Sequence, residues 1–283
     1  MESLRIVDTW PVGAAAAGVV APSQSPNLFG STDLALPWAS VTKLATSLAI
    51  LVAAEEGTLP LDAVITEAGA TVRHVLAHAA GLAPERPLRQ LSAPGARRIY
   101  SNAGYELLAD EVAVRADMAF GDYLGAAVLV PLGMTASVLS GSPAWGMTSP
   151  LSDLIRLAAE WLAPTLIAPN TLAEATSLAF AGLDGVLPGF GLQEPCDWGL
   201  GPEIRDGKSP HWTAPSASPG TFGHFGRSGS FVWVDPEEQL ACAVLTDTTF
   251  GPWAMRAWPE FSEIVLGEWR SGREQGSEVR FRR

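Results

Sequence analysis

One helix-length segment near the amino terminus constrains the fold more than any other part of the chain. Between Leu34 and Ala54 the only charged side chain is Lys43, and residues 40–56 have the pattern of a helix that Gly57 can end. A helix that is apolar on nearly every face is buried rather than laid on a surface. We therefore predict a buried helix that carries a single lysine.

The other hydrophobic patterns predict strands at both ends of the chain and helices between them. The candidate strands are residues 13–20, 27–32, 198–205, 230–235 and 240–247. The further candidate helices are residues 71–79, 103–116, 120–130, 151–162, 172–183 and 253–269. This order predicts an α+β fold, an antiparallel sheet flanked by helices, with a mostly helical lobe inserted between the N- and C-terminal strands. We expect a single unit over residues 1–283, with a sheet lobe of about 1–65 plus 196–283 and a helical lobe of about 66–195.

The charge balance restricts the partners. Acidic residues outnumber basic ones by 30 to 18, for a net charge of −12, which disfavours nucleic acid and anionic membranes as ligands. No apolar run approaches the roughly 20 residues that span a bilayer, and residues 11–22 lack the cationic leader of a signal peptide. We expect a cytoplasmic protein that binds neither nucleic acid nor membrane.

Several motifs of cofactor, metal and nucleophile sites are missing from the sequence. There is no phosphate-binding P-loop, no G-x-G-x-x-G and no G-x-S-x-G. His74 and His78 have the i, i+4 spacing of a metal-binding helix, but Val75 stands where a glutamate would follow, which favours a helix-packing pair. Cys196 and Cys242 are interpreted as free thiols, with a disulfide between them as the alternative. We expect no metal and no organic cofactor.

The first catalytic candidate is the pair Ser40 and Lys43, in the run SVTK. Serine at a helix start and lysine one turn later share a helix face. The apolar helix disfavours the ammonium form of Lys43, so its amine can accept the serine proton, and the helix N-terminus can stabilise an oxyanion. Chance gives roughly 0.16 such pairs here. A lysine that reaches from a buried helix to solvent is the alternative interpretation.

A second motif, Y-x-N, joins Tyr100 to Asn102, and chance gives roughly 0.03 such pairs because both residue types are rare here. A phenol beside a charged lysine can have a lowered pKa and carry protons, while the Asn102 amide can donate to a substrate carbonyl. The alternative for Asn102 is the N-cap of the helix that follows.

A third motif, His224-Phe225-Gly226-Arg227, precedes the candidate strand 230–235. Glycine at a strand edge lets a substrate approach the backbone, whose N–H groups can complete an oxyanion hole. H-x-G is common by accident, but all three motifs together are expected by chance only about 0.002 times.

In this order the motifs resemble the serine β-lactamase and penicillin-binding-protein superfamily. The chain is most similar to the class C β-lactamase-like branch, which includes family VIII carboxylesterases. The resemblance covers about residues 19–246 and includes the runs HAAGL (78–82), PLGM (131–134) and WGLG (198–201). It implies that Ser40 attacks an ester or amide carbonyl and that Lys43 and Tyr100 share the acid–base work. It also implies that Asn102 orients the substrate, with the backbone N–H groups of Ser40 and Arg227 as the oxyanion hole.

The resemblance places His224 where the family carries Lys or His, and Gly226 at the motif glycine. Histidine in place of the lysine of true β-lactamases weakens the case for binding a β-lactam carboxylate, which Arg227 could offset. The tryptophans, among them Trp38, Trp145, Trp198 and Trp212, suggest an apolar acyl pocket, although most of them are interpreted as core.

The sequence thus predicts a serine hydrolase that acts through an acyl-enzyme on a small-molecule ester or amide, with esterase activity favoured. The alternative activities are D-Ala-D-Ala carboxypeptidase, aminopeptidase or weak β-lactamase. A catalytically silent ligand-binding or scaffold protein of the same fold is the hypothesis from another class.

Overall fold

The computed structural model describes the backbone of residues 1–281 and the side chains of residues 1–274. The strands are β1 (Ala15–Val20), β2 (Asn27–Gly30), β3 (Leu36–Pro37), β4 (Val138–Leu139), β5 (Met147–Ser149), β6 (Gly185–Leu187), β7 (Gly191–Gln193), β8 (Glu203–Ile204), β9 (Phe222–Gly226), β10 (Ser230–Asp235) and β11 (Leu240–Thr246). The α-helices are α1 (Thr42–Glu55), α2 (Val72–Leu76), α3 (Asn102–Ala116), α4 (Phe120–Leu124), α5 (Leu151–Leu162), α6 (Pro169–Ala175) and α7 (Pro252–Phe281).

The central sheet is antiparallel and has six strands in the order β2-β1-β11-β10-β9-β8. The hairpin β1–β2 from the start of the chain pairs with β11 from its end, with Ala17 opposite Val244. The predicted α+β class, an antiparallel sheet flanked by helices and built from both ends of the chain, is therefore confirmed. A three-stranded sheet (β3-β5-β4) and a two-stranded hairpin (β6-β7) accompany it.

Alternate residues of the sheet enter two different cores, as the period of two along a strand requires. On one face Ala241, Ala243 and Leu245 of β11 pack in a core with α1 and α5. On the other face Cys242 and Val244 pack in a core with α7. Helices cover both faces, which explains why every residue of β10 and β11 is buried.

The buried helix predicted around Lys43 is α1. All its side chains from Thr42 to Ala53 are buried, so the helix has no solvent face. It begins with a 3₁₀ turn, Ala39–Val41, and ends before Gly57, whose φ of +79° is the left-handed conformation that follows many helices. Because α1 is buried, Lys43 of the candidate catalytic pair lies in the interior of the protein.

Two predicted elements differ most from the structure. The strand expected over residues 198–205 is reduced to β8 and a bridge between Trp198 and Glu203. The helix expected over residues 172–183 is α6, which ends at Ala175. Phe180 and Gly182 have φ angles of +54° and +76°, so the backbone there cannot continue a right-handed helix.

Cys196 and Cys242 are both buried and free, which confirms the thiol interpretation. Within the described part of the chain, no helix combines the length and the apolar character that crossing a membrane requires.

Candidate active site

Ser40 lies in the 3₁₀ turn that leads into α1. The residue before it, Ala39, has a φ of +45°, a conformation that costs energy for any residue with a Cβ. Trp38 holds this turn in place, because its N–H donates to Met147 O at 2.9 Å and its indole Nε1 donates to Ser149 Oγ at 2.9 Å. Ser40 thus lies in a strained turn that the hydrogen bonds of Trp38 anchor to β5.

Lys43 is fully buried one turn further along. Its Nζ donates to Asn102 Oδ1 at 2.6 Å and to Ala144 O at 2.9 Å, and it lies 4.6 Å from the centroid of the Tyr100 ring. Burial lowers the pKa of Lys43 from 10.5 to about 7, although the carboxylates of Glu85 and Glu106 oppose the shift. A substantial fraction of the amine is neutral near pH 7 and can accept a proton, and the alternative of a lysine that reaches solvent is wrong.

The Tyr100 hydroxyl lies between the serine and the third motif. Burial raises the pKa of Tyr100 well above its usual value, and a hydrogen bond with Ser40 opposes this only in part. The predicted lowering of the phenol pKa is therefore wrong, because desolvation of the phenolate outweighs the nearby amine. Tyr100 is a neutral hydroxyl that can donate and accept, rather than a phenolate base.

Asn102 is the first residue of α3, and its amide connects two charged groups. The oxygen accepts from Lys43, while Nδ2 donates to Glu85 Oε1 at 2.7 Å. The N-cap is Ser101 instead, whose Oγ accepts from Gly104 N at 2.9 Å. The alternative role of Asn102 as the cap is therefore wrong, which leaves its amide for the site.

His224 on β9 is held as a neutral ring. Its Nδ1 lies 2.7 Å from Phe225 O, and a carbonyl can only accept, so Nδ1 carries the proton. Nε2 is then an acceptor, 3.3 Å from the Tyr100 hydroxyl. Burial, together with the charge of Lys43, lowers the pKa of His224 to about 3. The Tyr100 proton therefore points at His224, and the Tyr100 lone pairs face Ser40.

Gly226 explains how β9 comes close to the serine turn. A Cβ on this residue would lie 2.1 Å from Trp38 O, so only glycine allows the approach. Arg227 follows it with an exposed side chain, and its carbonyl accepts from Phe250 N at 2.9 Å. Whether the N–H groups of Ser40 and Arg227 act as an oxyanion hole stays a prediction.

A cavity of about 380 Å³ opens beside Ser40. Its lining residues are Ser40, Tyr100, Leu187, Pro188, Gly189, Trp198, Glu203, His224, Phe225, Arg227 and Phe250. Four predicted site residues thus share one cavity. Lys43, which lies against the ring of Tyr100, and its partner Asn102 are not among the lining residues. Of the tryptophans suggested for the pocket only Trp198 lines it; Trp38 and Trp212 are core and Trp145 is exposed.

Sequence reasoning missed two residues that support the site, Glu85 and His78. His78 is 1% exposed and follows α2 with a φ of +55°. Its carbonyl accepts from Ile99 N at 2.9 Å and its Nδ1 accepts from Ser101 N at 3.1 Å, so it fixes the backbone on both sides of Tyr100. The sequence signal that could have found it is that His78 is the one polar residue in the apolar run 75–83.

His74 packs and caps α2, as a helix-packing residue does. It accepts from Thr71 N at 3.2 Å and its ring lies 4.3 Å from that of Phe180. Among the described residues, no group of three or more His, Cys, Asp or Glu side chains could hold a metal ion.

The Beta-lactamase family model matches residues 7–264. A crystal structure of a beta-lactamase from Mycobacterium bovis is 47% identical, covering 94% of this chain and 99% of that one, with a TM-score of 0.92. Simvastatin synthase (LovD) from Aspergillus terreus, unliganded, is 16% identical, covering 95% and 98%, with a TM-score of 0.75. EstCE1, a hydrolase with promiscuous acyltransferase activity, is 15% identical, covering 92% and 96%, with a TM-score of 0.73. The last two show a shared fold alone, and no curated protein matches the sequence.

Proposed function

We propose that this chain, which belongs to the Beta-lactamase family, is a serine hydrolase that cleaves small esters through an acyl-enzyme on Ser40. The observation that carries the proposal is the buried amine of Lys43, whose pKa of about 7 leaves it able to take a proton at neutral pH. Structural packing alone does not require an amine at this place, and burying one is unfavourable. A catalytic role explains why an amine lies at this buried position.

In the acylation step, Ser40 Oγ forms a bond to the substrate carbonyl carbon and its proton passes to Lys43, directly or by way of the Tyr100 hydroxyl. The carbonyl π electrons move to oxygen and give a tetrahedral oxyanion. When the oxyanion collapses, the bond to the leaving alkoxide breaks, and the proton held by Lys43 returns to that alkoxide through Tyr100. The products are an alcohol and an ester on Ser40.

Tyr100 can relay a proton without becoming a free phenolate. In the resting site its hydrogen bond to His224 Nε2 orients the hydroxyl to accept from Ser40. In the relay the phenolic proton turns from His224 to Lys43 as the serine proton arrives. Asn102 holds Lys43 Nζ beneath the ring of Tyr100. In deacylation a water molecule takes the position of the alcohol, bonds to the ester carbonyl carbon and gives its proton to Lys43 by the same route. Collapse of the oxyanion breaks the bond to Ser40 Oγ, which takes that proton back, and the acid is released.

Hydrolysis of β-lactams is the second candidate function. It is favoured by the beta-lactamase from Mycobacterium bovis, which shares 47% identity over 94% of this chain. The geometry favours esters instead, because the ring of His224 is neutral and does not offer the cation that would meet a β-lactam carboxylate. Arg227 supplies a cation at the cavity, with an exposed side chain.

A fluorophosphonate probe tests the proposal, with Ser40→Ala as the inactive variant and Ser140→Ala as a matched control on an exposed serine. We expect labelling of the wild type and of Ser140→Ala only, with the adduct mapped to Ser40. Turnover of p-nitrophenyl butyrate, a chromogenic cephalosporin and a D-alanyl peptide then separates esterase, β-lactamase and peptidase activities. Equal labelling of Ser40→Ala, or no covalent adduct with any substrate, would contradict hydrolysis and favour a silent binding protein.

A further inference from the structure

We propose that the cavity beside Ser40 binds the uncharged aliphatic acyl group of an ester, and that the ring of Phe250 sets the acyl-chain length it accepts. This inference rests on the proposed ester hydrolysis and names the substrate class of that same site. The cavity volume of about 380 Å³ lies within the range of roughly 300–1,000 Å³ for small-molecule sites.

One wall of the cavity is apolar and comes from separate parts of the chain. Leu187 belongs to β6, Phe225 to β9 and Phe250 to the loop before α7. The rings of Phe225 and Phe250 lie 5.0 Å apart, and a third ring, Phe190, lies 6.0 Å from Phe250. Such a surface recognises hydrocarbon and offers no hydrogen bond to a polar chain.

The turn of the hairpin β6–β7 lines the cavity at this wall. Gly189, in the turn of the hairpin, has a φ of +82°, and a Cβ on it would lie 2.6 Å from Cε1 of Phe250. Glycine therefore lets the hairpin turn contact the Phe250 ring directly. The chain that enters from Ser40 meets this contact, so the ring of Phe250 limits its length.

The one carboxylate in the lining, Glu203, is already neutralised. Its Oε1 lies 3.3 Å from Lys208 Nζ and 3.0 Å from His211 Nε2, and its Oε2 accepts from Trp212 Nε1 at 2.6 Å. The side chain of Glu203 is 2% exposed. Its charge is thus committed to protein partners, and the cavity does not call for a cationic acyl group.

The acyl group suits this cavity better than the alcohol does. In an acyl-enzyme mechanism the acyl group stays bound to the serine through both steps, whereas the alcohol must leave before water can attack. Leu187, Trp198 and Phe225 are at most 8% exposed, so these apolar side chains are buried at the cavity. An apolar wall of this kind suits the acyl group, which stays in contact with it through both steps.

Phe250 is suitable for the test because its backbone and its ring are held separately. Its N–H donates to Arg227 O at 2.9 Å, and a side-chain substitution leaves this bond in place. The ring is only half-buried. Phe29, half-buried on the edge strand β2 and outside the cavity lining, provides a matched control for the loss of one phenyl ring.

The experiment measures kcat/KM for p-nitrophenyl esters from acetate to decanoate with the wild type, Phe250→Ala, Phe250→Trp and Phe29→Ala. Each methylene that gains burial contributes about fourfold to kcat/KM, equal to about 0.8 kcal/mol. We expect the ratio of octanoate to butyrate to rise about tenfold or more in Phe250→Ala and to fall in Phe250→Trp. Phe29→Ala should keep the wild-type ratio. A butyrate series with different alcohols is measured in parallel.

The possible outcomes distinguish a failure of the acyl-site assignment from a failure of the proposed ester hydrolysis. Ser40-dependent hydrolysis with the same chain-length ratio in every Phe250 variant would overturn the acyl assignment while leaving ester hydrolysis in place. If the Phe250 variants change the preference for the length of the alcohol instead of the acyl chain, the acyl assignment is overturned as well. Absence of any Ser40-dependent hydrolysis or adduct with all acyl chains would instead remove the proposed function. A purely structural effect of Phe250 would lower all chain lengths equally, and the ratio would not move.

Discussion

Glu85→Gln is expected to move the acid limb of the pH–rate profile to lower pH. The ester kcat/KM should rise with pH because Lys43 must be neutral to accept the serine proton, with half-maximal activity near its pKa of about 7. The carboxylate of Glu85 raises that pKa by favouring the ammonium form. Removing its charge lowers the pKa of Lys43, so more of the amine is neutral at a given acidic pH.

The size of the shift follows from the geometry. Asn102 alone stands between the two groups, with hydrogen bonds of 2.6 Å to Lys43 and 2.7 Å to Glu85. A separation of roughly 7 Å, with an effective dielectric constant between about 20 and about 80, gives a coupling of about 0.4 to about 1.7 pKa units. Because Glu85 is exposed, solvent screening puts the shift near the lower bound.

The assay is kcat/KM for p-nitrophenyl butyrate from about pH 5 to about pH 9. Glutamine keeps an oxygen that accepts from Asn102, so the variant changes the charge and leaves the contact. Glu67→Gln, at another exposed glutamate, controls for the change in net charge. Identical acid limbs in Glu85→Gln and wild type, or a rate that is flat on the acid side, would refute Lys43 as the proton acceptor.

Three other predictions follow from described contacts. Lys43→Ala should lower ester kcat/KM by about 10² to 10⁴ while thermal unfolding shows a retained fold; a loss below about tenfold would contradict its role. His78→Leu removes the acceptor for Ser101 N and should lower kcat by about tenfold, whereas His78→Asn, which keeps an acceptor and tolerates positive φ, should restore most of it; equal losses would indicate a packing effect only. Asp235→Ala leaves the buried N–H of Ser218 and the Thr221 hydroxyl without their acceptor, and should cost about 3 kcal/mol or more of unfolding free energy in urea.

The sequence predicted those parts of the fold that depend on local pattern. The buried helix α1 and the hairpin of β10 and β11 are long, strongly patterned segments, and both form where expected. Residues 172–205 were predicted less well, because their backbone is decided by tertiary contacts. Ala179 N donates to Trp198 O at 2.9 Å, and the side chain of Arg98 donates to the carbonyls of Ala77, Ala179 and Cys196. Contacts between residues so distant in sequence produce no hydrophobic periodicity from which secondary structure could be predicted.

Some residues of the candidate site could likewise be predicted from the sequence, and others could not. Ser40, Lys43, Tyr100 and His224 could be found because their types and spacing are rare in combination. Glu85 could not, because an exposed glutamate in a loop has no distinguishing pattern, and its role follows only from the contact with Asn102. The direction of the Tyr100 pKa was also beyond reach, since it depends on how completely the phenol is buried.

The scarcity of lysine has a practical consequence. The chain has two lysines, and both are buried, with exposures of 0% for Lys43 and 6% for Lys208. Activated esters will therefore meet no surface ε-amine on the folded protein, and acyl transfer that maps to Ser40 is not obscured by labelled lysines. An amine-reactive footprint should stay silent at both positions until the chain unfolds, which makes lysine modification a direct measure of global opening.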